Sequence, residues 1–468
     1  MKFVGKDATT DDGCRLTQGE CFAKLMKRVI RPKIFSDIKL HGNTNWTPVS
    51  LVQVALLWTW GNQSLVERAE DAISDAKKLF GATGVGSYQV LTNALVGHGE
   101  QLLSRLWLRL QGLMSRTQQA NFRIGMWLVL AVDGTRVSTS RTLANEREFS
   151  QPGNSWRTRK KRKKRRKRTA KRKVYNKKPL PVGPQVWLTL LWHVGQRMPW
   201  AWSIGPSNTN ERKHFLDLCK SLIFPKNTLF CGDAGFVGYE VWKTLHDEGH
   251  QFLIRVGRNC RLLNQLGHVR EKDGIVYSWP EERQRRNQPP VVLRLLRFHD
   301  GYGEVYLVTN ELSERKLSDA RASEIYRKRW GIEVQFRTLK QTCQRTKLLG
   351  RTPEIVKQEL HWSIAGLWLA QFLALEQQPA HAQTSVAGVL RVIRSVIRRP
   401  DKVPKRGHSL ARLLALAVTD NYIRTCPKKS RDYPRRKAKP SARPPKLSVA
   451  SQKLKERAAR LSNEYENP

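Results

Sequence analysis

The stretch "MWLVLAVDGTRV", residues 126–137, decides the fold class. Its apolar residues follow one another almost without interruption, which is typical of a central strand covered on both faces. The run ends at Asp133 and Gly134, where we expect the strand to end. Further strand-like runs at 185–195, 198–205, 227–238 and 251–257 alternate with helical patterns at 210–223 and 239–250. This alternation predicts an α/β fold with a mixed sheet flanked by helices.

The chain divides into three regions by its sequence pattern. Residues 1–120 are helical in period, and residues 121–400 hold the α/β pattern. Inside that second region, residues from about 261 to 316 predict a β-rich antiparallel insertion. Residues 401–468 are basic, and we expect little fixed structure after about residue 426 because Lys, Arg, Pro and Ser dominate there.

The net charge of the chain limits the classes of molecule that it is expected to bind. The 468 residues carry 85 Lys and Arg against 39 Asp and Glu, a formal net charge of +46, while 40% hydrophobic residues still allow a substantial core. Such a field draws polyanions, and nucleic acid is the commonest one. The longest apolar run, "SIAGLWLAQFLAL" at 363–375, is shorter than the roughly 18 residues that cross a bilayer and predicts a buried helix. With no apolar signal-peptide core at the start, we expect a cytoplasmic protein without a membrane partner.

Two acidic residues follow apolar strands. Asp133 in "AVDGT" and Asp233 in "CGDAGF" each lie close to a glycine. The carboxyl ends of strands are where α/β folds bind ligands, and glycine lets the backbone turn or approach closely there. Either aspartate alone is more simply explained as a turn or helix-cap residue.

The segment "IYRKRWGIEVQFRTLK", residues 325–340, adds a third acid. In one continuous helix, Tyr326, Glu333 and Lys340 form a stripe with Arg329 beside it. A solvated polar face is the plain alternative. Three carboxylates on three elements are nevertheless what a two-metal phosphoryl-transfer site needs, since Mg²⁺ prefers hard oxygen ligands. Around such a site the arginine, lysine and tyrosine would face a phosphodiester.

These residues carry a resemblance to a known family. Tyr326, Arg329, Glu333 and Lys340 reproduce the Tyr-Arg-Glu-Lys signature of the DDE transposases of insertion sequence type four, and Trp330 also fits relatives of that group. "DGT" at 133–135 and "DAGF" at 233–236 resemble the two aspartate motifs of the family. The resemblance covers roughly residues 120 to 375, and the insertion at 261–316 lies where the family carries one.

The resemblance implies a ribonuclease H-like core in which Asp133, Asp233 and Glu333 hold two Mg²⁺ ions, with Mn²⁺ able to substitute. It implies a DNA transposase that cleaves transposon ends and transfers the strands into target DNA, within a homodimeric synaptic complex in the prokaryotic cytoplasm, associated with the nucleoid. Independently of the resemblance, the several short helices of residues 1–120 could bind the DNA ends, although any helical cap would show the same pattern. In relatives that use a hairpin, an insertion-domain tryptophan assists a flipped base, and Trp279 is the tryptophan of this insertion.

One segment departs from the family pattern. Residues 157–173, within a basic loop at 157–178, hold 14 cations in 17 positions. A solvated loop is the plain reading. We expect instead that this tract grips DNA through phosphates without sequence preference, with Arg159, Lys160, Lys161 and Arg162 among the contacts.

Two other functions remain open from the sequence. A catalytically inactive DNA-binding protein derived from a transposase would use the basic regions alone, but has no need for metal-binding carboxylates. A basic ribosomal or RNA-packaging protein explains the charge and leaves the three acids unexplained. Metal-dependent cutting of the element's own ends separates the transposase from both.

Overall fold

The structure, a computed structural model, describes residues 16–150, 183–269, 271–300, 303–419 and 443–466. Its helices, numbered in chain order, are α1 (Gln18–Val29), α2 (Pro48–Trp60), α3 (Leu65–Phe80), α4 (Tyr88–Met114), α5 (Gln119–Phe122), α6 (Leu143–Phe149), α7 (Glu211–Ser221), α8 (Tyr239–Asp247), α9 (Glu281–Arg285), α10 (Asp319–Lys328), α11 (Gly331–Arg337), α12 (Pro353–Leu375), α13 (Val386–Arg398), α14 (Leu410–Ala415) and α15 (Gln452–Glu466). Its strands are β1 (Leu128–Thr139), β2 (Gln185–His193), β3 (Met198–Pro206), β4 (Thr228–Gly232), β5 (Gln251–Val256), β6 (Arg261–Asn264), β7 (Ile275–Ser278), β8 (Val291–His299), β9 (Glu304–Thr309), β10 (Lys347–Leu348) and β11 (Lys446–Val449).

The described strands form one mixed sheet. Their order is β11-β6-β7-β8-β9-β5-β4-β1-β2-β3, and β10 pairs with the far end of β1. Strands β1, β4 and β5 are parallel, whereas β2 runs against both of its neighbours, β1 and β3. The predicted mixed α/β sheet flanked by helices is therefore confirmed.

The central strand β1 runs further than the sequence predicted. Its parallel pairing with β4 stops at Ala131 and Cys231, but its antiparallel pairing with β2 continues to Ser138. The expected end at Asp133 is wrong because the longer partner β2 keeps the strand extended. Asp133 thus lies just beyond the point where β1 and β4 separate, at the carboxyl edge of the parallel strands.

The insertion extends the central sheet. Strands β6 to β9 are antiparallel as predicted, and β9 pairs directly with β5. The basic tail differs from the prediction: residues 443–466 form β11, which pairs with β6, and α15. The open edge of β6 supplies backbone partners, and Ala458 and Leu461 complete a small core with Tyr277 and Trp279. Residues 420–442 lie outside the described part of the chain.

The N-terminal helices share a core with the sheet region. Thr47 and Ser64 form capping boxes at the starts of α2 and α3. Trp60 in α2 donates its indole N–H to the Gly366 carbonyl of α12 at 3.0 Å, and the buried Arg68 and Glu359 pair at 2.9 Å. Helix α12 is buried along most of its length, and no helix of the described ranges is long and apolar enough to cross a membrane.

Candidate active site

The sheet brings Asp133 and Asp233 to the same edge. Asp133 follows the last β1 residue paired with β4, and Asp233 directly follows β4. Each carboxylate accepts a nearby backbone N–H, from Gly134 at 2.8 Å and from Gly235 at 2.7 Å. The pKa of Asp133 is raised to about 6, first by burial and then by the charges of Asp233 and Glu333. The two aspartates and Glu333 are therefore electrostatically coupled.

The segment that carries Glu333 is less regular than one helix. Helices α10 and α11 are separated by Arg329 and Trp330, which keep helical dihedral angles, and residues Thr338–Thr342 form a π-helical turn. A Cβ on Gly331 would lie 2.0 Å from the ring of Trp192, so the backbone here packs closely against β2. The expected uninterrupted helix is wrong, although the signature residues still gather around one site.

Arg329 lies beside the acids with unsatisfied donors. Its residue surface is 7% exposed, and its Nη2 lies 3.7 Å from Glu333 Oε1. Nε and Nη1 are buried and have no hydrogen-bond partner in the structure. Burial lowers the pKa of Arg329, but Tyr326, Cys231, Asp133 and Asp233 raise it, and the net direction is upward. The guanidinium is charged and still has N–H groups to donate.

Two other signature residues support this arrangement. Tyr326 is buried, with its ring 5.4 Å from the Arg329 guanidinium carbon. Lys340, in the π-helical turn, donates from Nζ to Thr135 Oγ1 at 2.7 Å, and burial lowers its pKa. Because Thr135 belongs to the "DGT" motif, this bond brings Lys340 next to the Asp133 segment.

Comparison with known proteins assigns the region that carries these residues to a family. Residues 128–369 match the family model described as "Transposase DDE domain". The chain belongs to the transposase DDE domain family. Two relatives from insertion sequences, described next, confirm the resemblance of this chain to transposases of insertion sequence type four.

Two relatives of this DDE transposase domain come from insertion sequences. The Escherichia coli K12 transposase InsG of element IS4 is 28% identical over 148 residues, which cover 30% of this chain and 33% of that protein. A Synechocystis sp. protein assigned as the transposase of element IS4SA is 26% identical over 176 residues, 36% of this chain and 48% of that protein. The chain thus matches less than half the length of each curated relative.

A solved structure of a transposase is also similar. The cryo-EM structure of the piggyBac transposase synaptic complex with hairpin DNA aligns with 87% of this chain and 73% of that one, at 10% identity and a TM-score of 0.32. This similarity is too weak to support a conclusion about the site.

The two tryptophans predicted to contact DNA differ in exposure. Trp330, next to Arg329 in this DDE domain, is 55% exposed. Trp279 is 4% exposed, packs in the small core of the insertion, and donates its indole N–H to the Gln288 carbonyl at 2.7 Å. In this conformation Trp279 has no open face on which a flipped base could stack. The predicted contacts Arg159, Lys160, Lys161 and Arg162 lie outside the described residues.

A fourth acid at this edge, Glu211, was not predicted from the sequence. Glu211 begins α7, directly after β3, and its pKa is raised to about 7 by burial and then by the charges of Asp133 and Asp233. An acid in the first turn of a helix is ordinarily explained by the helix dipole, so the local pattern offers little reason to select Glu211. Its place after the third strand of the sheet was the one available signal.

The donor set suits a hard divalent cation. Within the described ranges, no three acidic, histidine or cysteine side chains already enclose a metal site. Glu333 forms its ion pair with Arg329, at 3.7 Å between Oε1 and Nη2. The acids offer oxygen ligands, which Mg²⁺ prefers, and a cation would balance the negative charges of Asp233 and Glu333 that add to burial in raising the pKa of Asp133.

The coupled acids predict a pH dependence of stability in EDTA. Because the folded pKa of Asp133 is raised above its ordinary value near 4, the folded state holds this proton more tightly, and its contribution to stability is lost as pH rises through about 6. Asp133→Asn removes that loss. We expect the melting temperature of Asp133→Asn, relative to wild type, to increase from pH 4.5 to pH 7.5. An equal difference at both pH values would contradict the raised pKa of Asp133.

Proposed function

We propose that this chain is a DNA transposase that cuts DNA at the ends of a mobile element and joins those ends to target DNA. The observation that carries the proposal is the approach of Asp133, Asp233 and Glu333 to a buried arginine with unpaired donors. Membership of the transposase DDE domain family supports the same function.

Asp133, Asp233 and Glu333 are the proposed ligands of two Mg²⁺ ions, for which Mn²⁺ would substitute. Bound cations would polarise the scissile phosphate and favour deprotonation of the attacking water or 3′ hydroxyl. Carboxylates suit this task because they bring both hard oxygen atoms and negative charge.

The neighbouring side chains would hold the DNA backbone. Arg329 has two buried donors available for phosphate oxygens, and an arginine can bind such oxygens with two parallel bonds. Lys340 donates to Thr135, two residues after Asp133, and adds a point charge next to that segment. The exposed ring of Trp330 offers a surface for stacking against a base. These groups would position the phosphodiester at the acids.

The sheet supports a ribonuclease H-like core. Its central part has the order β3-β2-β1-β4-β5, in which β2 alone runs against the others. In this order, the point where β1 and β4 separate and the start of the helix after β3 lie at one edge. The proposed fold therefore explains why the acids meet although they are far apart in sequence.

The remaining parts of the chain are assigned to DNA partners. The helices of residues 1–120 would bind the terminal inverted repeats, and the basic tract at 157–173 would bind target or flanking DNA. Two copies would bring two ends together in a synaptic homodimer. A protein with these substrates would act in the cytoplasm, at the nucleoid.

The basic tract gives a prediction about salt dependence. Each phosphate neutralised in duplex DNA contributes about 0.9 to the slope of log affinity against log salt. Replacing residues 157–173 by a Gly/Ser linker of equal length should weaken binding equally for all sequences and reduce that slope by several units. Binding isotherms at four salt concentrations measure it. The variant Arg159→Gln/Lys160→Gln/Lys161→Gln/Arg162→Gln should give a smaller reduction, whereas an unchanged slope would make the tract a solvated loop.

The function itself is tested by cutting. A plasmid that carries the DNA flanking the gene is incubated with the full chain in Mg²⁺ or in EDTA, and strand breaks are mapped to the nucleotide. The proposal expects Mg²⁺-dependent breaks at the inverted repeats. Binding to the plasmid without breaks would favour the catalytically inactive DNA-binding protein.

A further inference from the structure

Glu211 reaches the aspartate pair from the side of the third strand. A Cβ on Gly134 would lie 2.2 Å from the Trp187 ring and 2.7 Å from Glu211 Oε1, and a Cβ on Gly235 would lie 2.8 Å from Asp233 Oδ1 and 3.3 Å from Glu211 Oε2. The Glu211 carboxylate therefore packs closely against both glycines. Glu211 lies against the backbone that follows each catalytic aspartate.

The start of α7 is fixed to that edge by several bonds. Asn210 caps the helix by accepting the backbone N–H groups of Arg212 and Lys213. Arg212 Nε donates to the Gly235 carbonyl at 2.7 Å, which joins the helix to the segment after Asp233. One turn later, His214 bonds to side chains of β2 and β3. Glu211 is consequently held in place by bonds of its neighbours.

An independent observation indicates that this edge receives a ligand. Arg329 is more than nine-tenths buried, interacts with Asp133 and Asp233, and has two nitrogen atoms without partners. Unpaired buried donors are costly, and a bound anionic oxygen would satisfy them. A phosphate at Arg329 and a cation among the acids would complement each other.

The two glutamates of the site have different electrostatic partners. Glu211 interacts most strongly with Asp133 and Asp233, whereas Glu333 interacts with Arg329 and Asp233. Asp233 interacts with both glutamates, and Asp133 also interacts with Glu333. A centre with two aspartates and two glutamates has enough carboxylates for two divalent cations.

We infer that Glu211 is a fourth carboxylate of the cation site and supplies an oxygen ligand to the divalent cation held by Asp133 and Asp233. This inference rests on the proposed function. It adds a ligand on α7 to the three that the family signature provides. The alternative is that Glu211 only stabilises α7, through the interaction of its negative charge with the helix dipole.

Cation binding to the full chain separates these two roles. Isothermal titration with Mn²⁺ is performed on wild type, Glu211→Gln, Asp233→Asn and Glu354→Gln. Glu354 is the matched control because it is an exposed acid in the first turn of another helix, α12. The inference expects about 10- to 100-fold weaker Mn²⁺ binding in Glu211→Gln, the range found when residues that support a metal site are replaced. Glu354→Gln should bind as wild type does.

The metal-free melting temperature gives a second readout. If Glu211 serves the cation, its removal relieves like-charge repulsion, so Glu211→Gln and Glu211→Ala should melt in EDTA at or above wild type. A carboxylate that stabilises only the helix dipole would leave both variants less stable and Mn²⁺ binding unchanged. Either a lowered metal-free melting temperature or Mn²⁺ affinity within twofold of wild type would overturn the inference.

Asp233→Asn keeps the two proposals distinguishable. If this variant loses Mn²⁺ binding while Glu211→Gln retains it, the proposed function stands and the assignment of Glu211 fails. If Asp233→Asn also binds Mn²⁺ as wild type does, the carboxylate centre itself is wrong.

Discussion

Glu333→Gln is expected to abolish DNA cleavage while leaving the fold intact. The change keeps the size of the side chain and removes the charge that would offset a cation. Activation of the nucleophile and stabilisation of the leaving group should therefore fail together, with a loss on the order of 10³-fold or more in single-turnover cleavage. The metal-free melting temperature should stay equal or rise, because burial, and then repulsion by Asp233, raise the pKa of Glu333 above its ordinary value despite its pairing with Arg329.

Glu324→Gln is the control for this variant. Glu324 lies on α10 and pairs with Arg321 and Lys328 at the surface, where such pairs contribute little to stability. The control should cut as wild type does. Mg²⁺ should raise the melting temperature of wild type and of Glu324→Gln more than that of Glu333→Gln, because a ligand that binds only the folded state stabilises it. Equal Mg²⁺ stabilisation in all three would remove Glu333 from the cation site.

Arg329→Ala is expected to reduce cleavage about 10²- to 10³-fold, the cost of losing one preorganised donor at a reacting group. The side chain is buried beside the acids and has two unpaired nitrogen atoms, so phosphate is its proposed partner. Arg329→Lys should not restore the rate, because an ammonium group cannot reproduce the planar fork of donors.

Arg321→Ala controls for the loss of a cation on the same segment. Arg321 is exposed on α10 and pairs with Glu324 at 2.8 Å. Single-turnover rates of the three variants are compared at equal saturation with DNA, and thermal melting checks the fold. Full activity in Arg329→Ala would assign this arginine to the ion pair with Glu333 alone.

Much of the site was predictable from local patterns. The unbroken apolar run of β1 indicated a buried central strand, and a similar run before Asp233 indicated a second. The parallel pairing of β1 with β4 stops two residues before each aspartate, which is why both lie at one edge of the sheet. The Tyr-Arg-Glu-Lys spacing located Arg329 and Glu333 on one segment even though the helix there is interrupted.

The missed features depend on packing between distant parts of the chain. The break at Arg329 and Trp330 accompanies the close contact of Gly331 with Trp192, 139 positions earlier in the numbering. Glu211 is brought to the aspartates by the antiparallel turn from β2 to β3, and its own neighbours in sequence reveal nothing of them. Neither the contact of Gly331 with Trp192 nor the approach of Glu211 to the aspartates can be predicted from helical spacing.

The insertion and the tail show the same limit. Trp279 was selected as a base contact because it is the tryptophan of the insertion, yet its ring completes a core to which Ala458 and Leu461 contribute. The segment that holds these two residues is rich in charge, and composition suggested little structure. Its four-residue strand forms because β6 offers an open edge.

The central claim is that Asp133, Asp233 and Glu333 form a cation-dependent centre for cutting DNA. Single-turnover cleavage of a duplex that carries the element's terminal repeat tests it most directly, with wild type and Asp233→Asn compared in Mg²⁺ at saturating protein. The account predicts cleavage at the repeat by wild type, none in EDTA, and a loss on the order of 10³-fold or more in Asp233→Asn with DNA binding retained. Cleavage by Asp233→Asn at the wild-type rate would contradict it.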